Sequence, residues 1–266
     1  MKKPVISRNT ALWVAAGTLL YGLFLLFYLP ATTLADLVAK TTHDQIRIAN
    51  SSGSAWNGRG QLMLQQPGRA PISLGGFAWD LRLPYLLLAK LRIDARLTDG
   101  PIAGDVSIQR TMGSLVLRSV KVKTDATQLA KLHPALNLAN LRGEMILDAS
   151  RIQFSHDGIT GDTTLTWTGA GSDNFNLGNL GDYRLRVSGD TNPLRLELST
   201  LKGDVVITGE GIWDTTKDGK LKLDIVLQTR GRQETIDPLL QSWASPLGQG
   251  RYRYTLDTTV HLPKLL

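Results

Sequence analysis

The residues best suited to metal binding or nucleophilic catalysis are few and widely spaced. None of the four histidines has a second histidine three or four residues away, which is the spacing of a metal-binding pair on a helix. They are His43, His133, His156 and His261. The lack of cysteine excludes disulfides, thiolate zinc sites, iron–sulfur clusters and cysteine nucleophiles. We interpret the histidines as polar loop or surface residues and predict no metal and no cofactor.

Paired carboxylates could support glycoside hydrolysis, which needs two acidic groups across one bond. The sequence offers Asp94 with Asp99 and Asp214 with Asp218. The second pair flanks a Thr-Thr-Lys turn, where short acceptors satisfy local amides, and nothing distinguishes the first pair from hairpin residues. We therefore interpret both pairs as parts of hairpins and predict no catalytic residue at either.

Two short glycine motifs could belong to phosphate-binding loops. Gly58-Arg59-Gly60 and Gly209-Glu210-Gly211 both lack the third glycine and the following helix that such a loop requires. No Gly-x-Ser-x-Gly nucleophile elbow occurs. A hydrolase would need Ser, His and Asp side chains brought together from distant positions, which linear order does not display. The sequence therefore predicts a protein that is not an enzyme.

The excess of basic residues is small outside the N-terminus. Thirty Lys and Arg against 23 Asp and Glu give a formal charge of +7. Three of the basic residues lie in the first ten positions, so residues 31–266 carry 27 basic and 23 acidic groups, a net charge of +4. Basic pairs such as Arg184 with Arg186 or Lys121 with Lys123 could bind phosphate backbones. We interpret them as a solvated sheet face and predict no nucleic-acid partner.

The N-terminal segment predicts a membrane anchor. Residues 11–29 are uncharged and mainly apolar, and at ~1.5 Å per residue they reach about 28 Å, close to the ~30 Å hydrocarbon core of a bilayer. Lys2, Lys3 and Arg8 precede this run without any acid, so the positive-inside rule places residues 1–10 in the cytoplasm. We predict a single transmembrane helix at 11–29, with Trp13 and Tyr28 near its ends, and a periplasmic domain at 30–266.

Two alternatives to a membrane anchor stay open. Thr33-Leu34-Ala35 followed by Asp36 loosely resembles a signal-peptidase site, although the apolar run is longer than the ~7 to 15 residues typical of a cleaved signal peptide. A buried helix of a soluble domain is the other alternative.

After residue 45 the sequence predicts antiparallel β-sheet. Apolar and polar residues alternate, as in strands with one buried and one solvated face. The alternation is clearest at 77–83, 91–98, 183–188, 194–199, 220–228 and 251–260. Turn signals between strands are Asp99-Gly100, Asp157-Gly158, Asn192-Pro193 and Asp218-Gly219. Two short helices are expected, one from Asp125 towards Pro134 and one that begins at Asp237-Pro238. The sequence also allows a subdivision near residue 140.

A series of weak motifs along the chain resembles the type II secretion system protein N family, also called general secretion pathway protein N. The first is Ser54-Ala55-Trp56-Asn57-Gly58-Arg59-Gly60, about 25 residues after the predicted anchor. The others follow in order: Trp79-Asp80-Leu81-Arg82-Leu83-Pro84, Leu132-His133-Pro134, Leu141-Arg142-Gly143-Glu144, Trp167 in a threonine-rich strand, and Leu201-Lys202-Gly203 leading to Gly209-Glu210-Gly211.

The resemblance implies an accessory inner-membrane protein of a Gram-negative bacterium that supports the export of folded proteins across the outer membrane. It implies one transmembrane helix, an extended and curved periplasmic β-sheet, no catalytic residues, and inner-membrane platform proteins and the outer-membrane secretin as partners. The motif residues are expected to be structural: Trp56, Gly58, Trp79, Pro84, Pro134, Gly143, Trp167, Gly203 and Gly209. The face of Arg184 and Arg186 is a candidate docking surface. The alternative is an AsmA-like anchored protein whose apolar sheet face binds or transfers lipid.

Overall fold

The computed structural model describes residues 8–65, 68, 70–88, 90–128, 140–173, 177–216, 219–230 and 233–260. The chain divides into two compact units, one up to Leu81 and the other from Arg82 onward. A further subdivision near residue 140 stays a prediction.

The first unit contains two helices and three antiparallel strands. In chain order these are α1 (Arg8–Phe27), α2 (Ala31–Thr41), β1 (Ile46–Gly53), β2 (Asn57–Leu64) and β3 (Ile72–Leu81). β2 pairs with β1 on one side and with β3 on the other, and Gly58 lies directly opposite Trp79. α2 packs through Ala31 and Ala35, which are both buried.

The helix expected at residues 11–29 exists as α1. It ends three residues before Pro30, because a proline cannot continue a helix and disfavours helical backbone in the residue before it. The side chains described from Leu12 to Tyr28 are exposed. Within the described residues, no helix combines the length and the hydropathy that a membrane crossing requires. The membrane crossing at 11–29 therefore stays a prediction.

The second unit is mainly β, as the alternation predicts. A 3-10 helix (Leu83–Leu88) precedes β4 (Leu91–Thr98), β5 (Ile102–Arg110), β6 (Ser114–Asp125), β7 (Leu141–Ser155), β8 (Gly158–Ser172), β9 (Leu177–Gly189), β10 (Leu194–Gly203), β11 (Val205–Trp213), β12 (Lys220–Thr229), α3 (Gln233–Gln241), β13 (Ser245–Gly248) and β14 (Arg251–Thr259). The strands form an open antiparallel sheet in sequence order, except that β14 lies between β12 and β13.

The strand register sorts side chains onto two faces. On one face Leu185 of β9 lies between Leu165 of β8 and Leu198 of β10. On the other face Arg186 lies beside Thr164 of β8 and Glu197 of β10. Directly opposite residues share a face, so the apolar and the charged positions each form a continuous band across strands. The sheet of this unit thus has the one-sided polarity that the sequence predicts.

α3 covers the apolar face at the C-terminal end of the sheet. Its Ile236 and Leu240 pack with buried residues of β11, β12 and β14, which are Val205, Leu227 and Tyr252, and with Ala244. The predicted start of this helix is wrong by five residues, because Pro238 was expected as the first helical residue and the helix begins at Gln233. Burial of Ile236, which precedes the predicted cap, favours the longer helix. Asp237 instead accepts a hydrogen bond from the Thr229 hydroxyl at 2.9 Å.

The other predicted helix begins where expected. Asp125 Oδ1 accepts a hydrogen bond from the Thr127 backbone N–H at 2.8 Å, which is the N-cap geometry, and residues 126–128 are helical. The rest of this predicted helix, up to Pro134, lies outside the described residues.

Candidate functional site

Trp56 and Trp79 connect the end of α1 to the strands of the first unit. We call Leu26, Leu29, Ala55, Trp56 and Trp79 the tryptophan junction. The Trp56 indole N–H donates to the Leu26 carbonyl at 2.8 Å, and the Ala55 N–H donates to the Leu29 carbonyl at 2.8 Å. Carbonyls at a helix C-terminus lack the usual intrahelical donors, so these bonds satisfy the end of α1.

Trp79 is the buried half of the junction. Its side chain is 2% exposed, its indole N–H donates to the Ala55 carbonyl at 3.1 Å, and its ring stacks on Phe77 at 5.7 Å between centroids. Gly58 makes room for this ring, since a Cβ there would lie 2.4 Å from Trp79 Cζ2. The Trp79 ring packs against Gly58 and its N–H bonds the Ala55 carbonyl, and these contacts together hold the Ser54–Trp56 loop in place.

A second pair of motif residues meets where β7 begins. The Trp167 indole N–H donates to the Arg142 carbonyl at 2.9 Å, and the next residue, Gly143, has a φ of +107°. A Cβ on Gly143 would lie 2.5 Å from the Thr168 carbonyl oxygen and 2.7 Å from that of Gly169. Gly143 therefore combines a backbone conformation and a close approach that only glycine accommodates.

The remaining motif residues are dispersed. Pro84 lies in the 3-10 helix that precedes β4. Gly203 ends β10 with a φ of +150°, and a Cβ there would lie 2.3 Å from the Leu180 carbonyl oxygen, whereas at Gly209 a Cβ would lie 3.0 Å from the Asp224 carbonyl oxygen. Pro134 lies outside the described residues. The structure thus groups Gly58 with the two N-terminal tryptophans and Gly143 with Trp167, and whether the nine positions define the family stays a prediction.

The described histidines lie apart, in turns. His43 follows α2 with a φ of +50°, and His156 occupies the turn between β7 and β8. His133 and His261 lie outside the described residues. In the part of the chain that is described, no group of three or more His, Cys, Asp or Glu side chains could hold a metal ion.

Asp94 is the one carboxylate of β4. It accepts hydrogen bonds from Ser107 Oγ at 2.6 Å and from Arg82 Nε at 3.0 Å. Partial burial raises the pKa of Asp94, but the hydrogen bonds from Ser107 and Arg82 and the charges of Arg92 and Arg82 outweigh it, so the pKa is lowered. Asp99 lies away from these groups in the exposed turn after β4. A lowered pKa keeps Asp94 ionised and weakly basic, which makes it a poor general acid or base at neutral pH.

Asp214 has a structural role in its hairpin, as the turn interpretation predicts. Hydrogen bonds from the Thr216 side chain at 2.5 Å, from the Thr216 backbone N–H at 3.0 Å and from Asn192 Nδ2 at 2.7 Å lower its pKa. Asn192 Oδ1 in turn accepts from the Thr215 N–H at 2.7 Å, and Thr215 Oγ1 accepts from the Ile159 N–H at 2.7 Å. These bonds connect three hairpins of the sheet, a connection that the sequence did not reveal. Asp218 lies outside the described residues.

The charged face of the sheet carries several ion pairs. Arg186 binds Asp162 through both ends of the guanidinium, with Nη2 to Oδ2 at 2.5 Å and Nε to Oδ1 at 3.2 Å. The hydrogen bond to Asp162 raises the pKa of Arg186. Among the described residues, the neighbouring Arg184 is exposed and makes no ion pair. The two arginines that suggested a docking surface are therefore unequal, since one is already neutralised.

Comparison with known proteins identifies one family. The sequence model of the Type II secretion system (T2SS), protein N family matches residues 44–255, well over half of the chain. Comparison with curated proteins and with solved structures gives no match. The AsmA-like alternative gains no support from these comparisons. The matched range includes Trp56, Trp79 and Trp167 and nearly the whole described sheet, and the chain therefore belongs to the type II secretion system protein N family.

Proposed function

We propose that this chain is a non-catalytic assembly component of a type II secretion system that binds other components of the system. The family match over residues 44–255 is the observation that carries the proposal. Its expected partners are inner-membrane platform proteins and the outer-membrane secretin.

The chemistry of the polar side chains supports a role in binding. The donors of Trp56, Trp79 and Trp167 are bonded to backbone carbonyls. The oxygens of Asp94 and Asp214 accept hydrogen bonds from neighbouring side chains. A group that performs acid–base chemistry has to reach a substrate, and these groups are already engaged within the fold. The extended charged face of the sheet, in contrast, offers a large surface for protein contacts.

Secretion in a strain without the chain tests this function. We expect the secreted enzymes to accumulate in the periplasm, and the full chain supplied from a plasmid to restore their export. A variant with both His43→Ala and His156→Ala should restore export to within a few-fold of normal, because a binding protein needs no imidazole catalyst. Normal export in the deletion strain would contradict the proposal. Failure of the double variant at an undiminished protein level would argue for catalysis.

We also propose that α1 anchors the chain in the inner membrane, with the N-terminus in the cytoplasm and residues 30–266 in the periplasm. The basic residues Lys2, Lys3 and Arg8 before an uncharged run support this orientation. The exposure of apolar side chains on α1, such as Leu19 at 67% and Leu20 at 66%, supports a lipid environment.

Alkaline phosphatase fused after residue 60 tests this orientation. The enzyme should be active, because its disulfides form only on the periplasmic side. The same fusion without residues 8–29 serves as the control and should be inactive. An inactive full fusion, detected at the control's level by immunoblot, would contradict the proposed orientation.

A further inference from the structure

We propose that Arg118 and Arg151, together called the arginine pair, bind an acidic segment of a partner protein. The inference deepens the proposed function and depends on it, since it names the surface through which the chain contacts another secretion component. Four features carry it: the strand register, two opposed bulges, the local charge balance, and the acids that surround the pair.

The arginine pair lies directly across two neighbouring strands. Arg118 of β6 is the register partner of Arg151 of β7, so both side chains leave the same face with Cβ atoms about 5 Å apart. Each arginine adjoins a β-bulge. Ser119, with a φ of +50°, is the extra residue of β6 against β5, and Ser150 is the extra residue of β7 against β8. Bulges change the direction of neighbouring side chains and are common beside functional surfaces.

The charges of the arginine pair have no counterion among the described residues. Both side chains are exposed, Arg118 makes no ion pair in the described ranges, and Arg151 Nη2 donates only to the neutral Gln153 Oε1, at 2.5 Å. The nearest acids bind other arginines. Asp162, which is the register partner of Arg151 on β8, binds Arg186, and Asp105 binds Arg96 at 2.6 Å. Like charges directly opposite each other destabilise a sheet. An anionic partner would remove this repulsion and gain two guanidinium groups that form bidentate hydrogen bonds with carboxylates.

The surrounding charges favour a protein over an anionic membrane. Asp105, Asp148 and Asp162 share the face of the arginine pair, as the register with β5 and β8 shows. These carboxylates alternate with Arg186, Arg96 and Lys121 on the same face, and a uniformly anionic surface does not match such a mixed pattern. A protein segment can place its acids against the arginines and neutral or basic groups against the aspartates, which is how charge patterns select partners.

The variant Arg118→Glu separates binding from folding. It places a carboxylate opposite Arg151, while its other register partner is the neutral Ser107, so the repulsive pair becomes an attractive one. Tm of the full chain in detergent should therefore rise by about 1 to 3 °C. The same variant should lose its partner. Arg195→Glu is the matched control. It reverses the charge of an exposed arginine of β10 that lies on the same face of the sheet as the arginine pair, and this variant should still bind the partner. A fall in Tm for Arg118→Glu would contradict the repulsion argument.

Photo-crosslinking in cells supplies the binding measurement. A photoreactive residue at Thr160, which faces Gln153 across β7 and β8, should crosslink a secretion component through a segment with several Asp or Glu residues. Arg118→Glu should reduce this crosslink at least tenfold. A partner whose segment carries lysine in place of its Asp and Glu residues should again crosslink to a chain with both Arg118→Glu and Arg151→Glu. A probe at the exposed Glu210 controls for random contacts.

The outcomes distinguish this inference from the proposed function. Absence of a protein crosslink at Thr160, crosslinking to lipid, or an unchanged crosslink in Arg118→Glu would overturn the arginine pair as a docking surface. If the deletion strain still fails to export its enzymes, the proposed function stands in each of those cases. Normal export in the deletion strain would contradict the proposed function itself.

Discussion

Trp79→Ala should lower the free energy of unfolding by about 3 to 5 kcal/mol, which is the range for large aromatic truncations in protein cores. The Trp79 side chain is 2% exposed, so its removal leaves a cavity against Phe77 and Gly58. The Ala55 carbonyl also loses the indole donor at 3.1 Å, and a buried acceptor without its donor adds to the cost. Together these losses should release the Ser54–Trp56 loop from the strands.

Urea unfolding of the purified chain and immunoblots of cell extracts measure this effect. We expect a lower unfolding midpoint, and secretion should fall only in proportion to the lost protein, because destabilised chains are degraded. Trp243→Ala is the matched control, since Trp243 is 49% exposed and contacts Tyr254 edge-on at 5.2 Å between centroids. Trp243→Ala should lower the free energy of unfolding far less than Trp79→Ala. Equal midpoints for Trp79→Ala and the wild type would contradict a core role.

The strands could be predicted from the sequence because the alternation of apolar and polar residues in each strand shows which side chains face the core and which face solvent. The alternation at 91–98 and 220–228 matches β4 (Leu91–Thr98) and β12 (Lys220–Thr229), since a half-buried strand needs an apolar side chain at every second position. The start of α3 was missed for the opposite reason. Ile236 is buried by residues of β11, β12 and β14, and that tertiary contact leaves no local signal before Asp237.

The candidate site was less predictable, because its bonds join distant positions. The Trp56 N–H bonds a carbonyl 30 residues away, and the Ile159 N–H bonds a hydroxyl 56 residues away. Neither residue type nor spacing specifies such a partner. Arg118 and Arg151 face each other because β6 and β7 pair in one unbroken register, with Leu117 opposite Ile152 and Val120 opposite Ala149. The register between two strands is not encoded in the alternation of either strand alone, so the sequence pointed to Arg184 and Arg186, which lie close together on one strand.

Gly143→Ala should lower the free energy of unfolding by about 2 to 5 kcal/mol, from backbone strain and from overpacking. The φ of +107° lies where residues with a Cβ are strained. The added Cβ would also lie 2.5 Å from the Thr168 carbonyl oxygen and 2.7 Å from the Gly169 carbonyl oxygen. Both obstacles are backbone atoms of the paired strand β8, so they cannot move aside as a flexible side chain would.

Comparison with Gly169→Ala separates the cost of backbone strain from the cost of steric overlap. Gly169 also has a positive φ, +64°, but a Cβ there would meet no atom within 4 Å, so this variant should cost only about 1 to 2 kcal/mol. Urea unfolding of the two variants gives the difference directly, and Gly143→Ala should be the less stable. Equal stabilities would mean that β7 shifts to relieve the contact. In that event the Trp167 indole would also lose its 2.9 Å bond to the Arg142 carbonyl, and its fluorescence would report the movement.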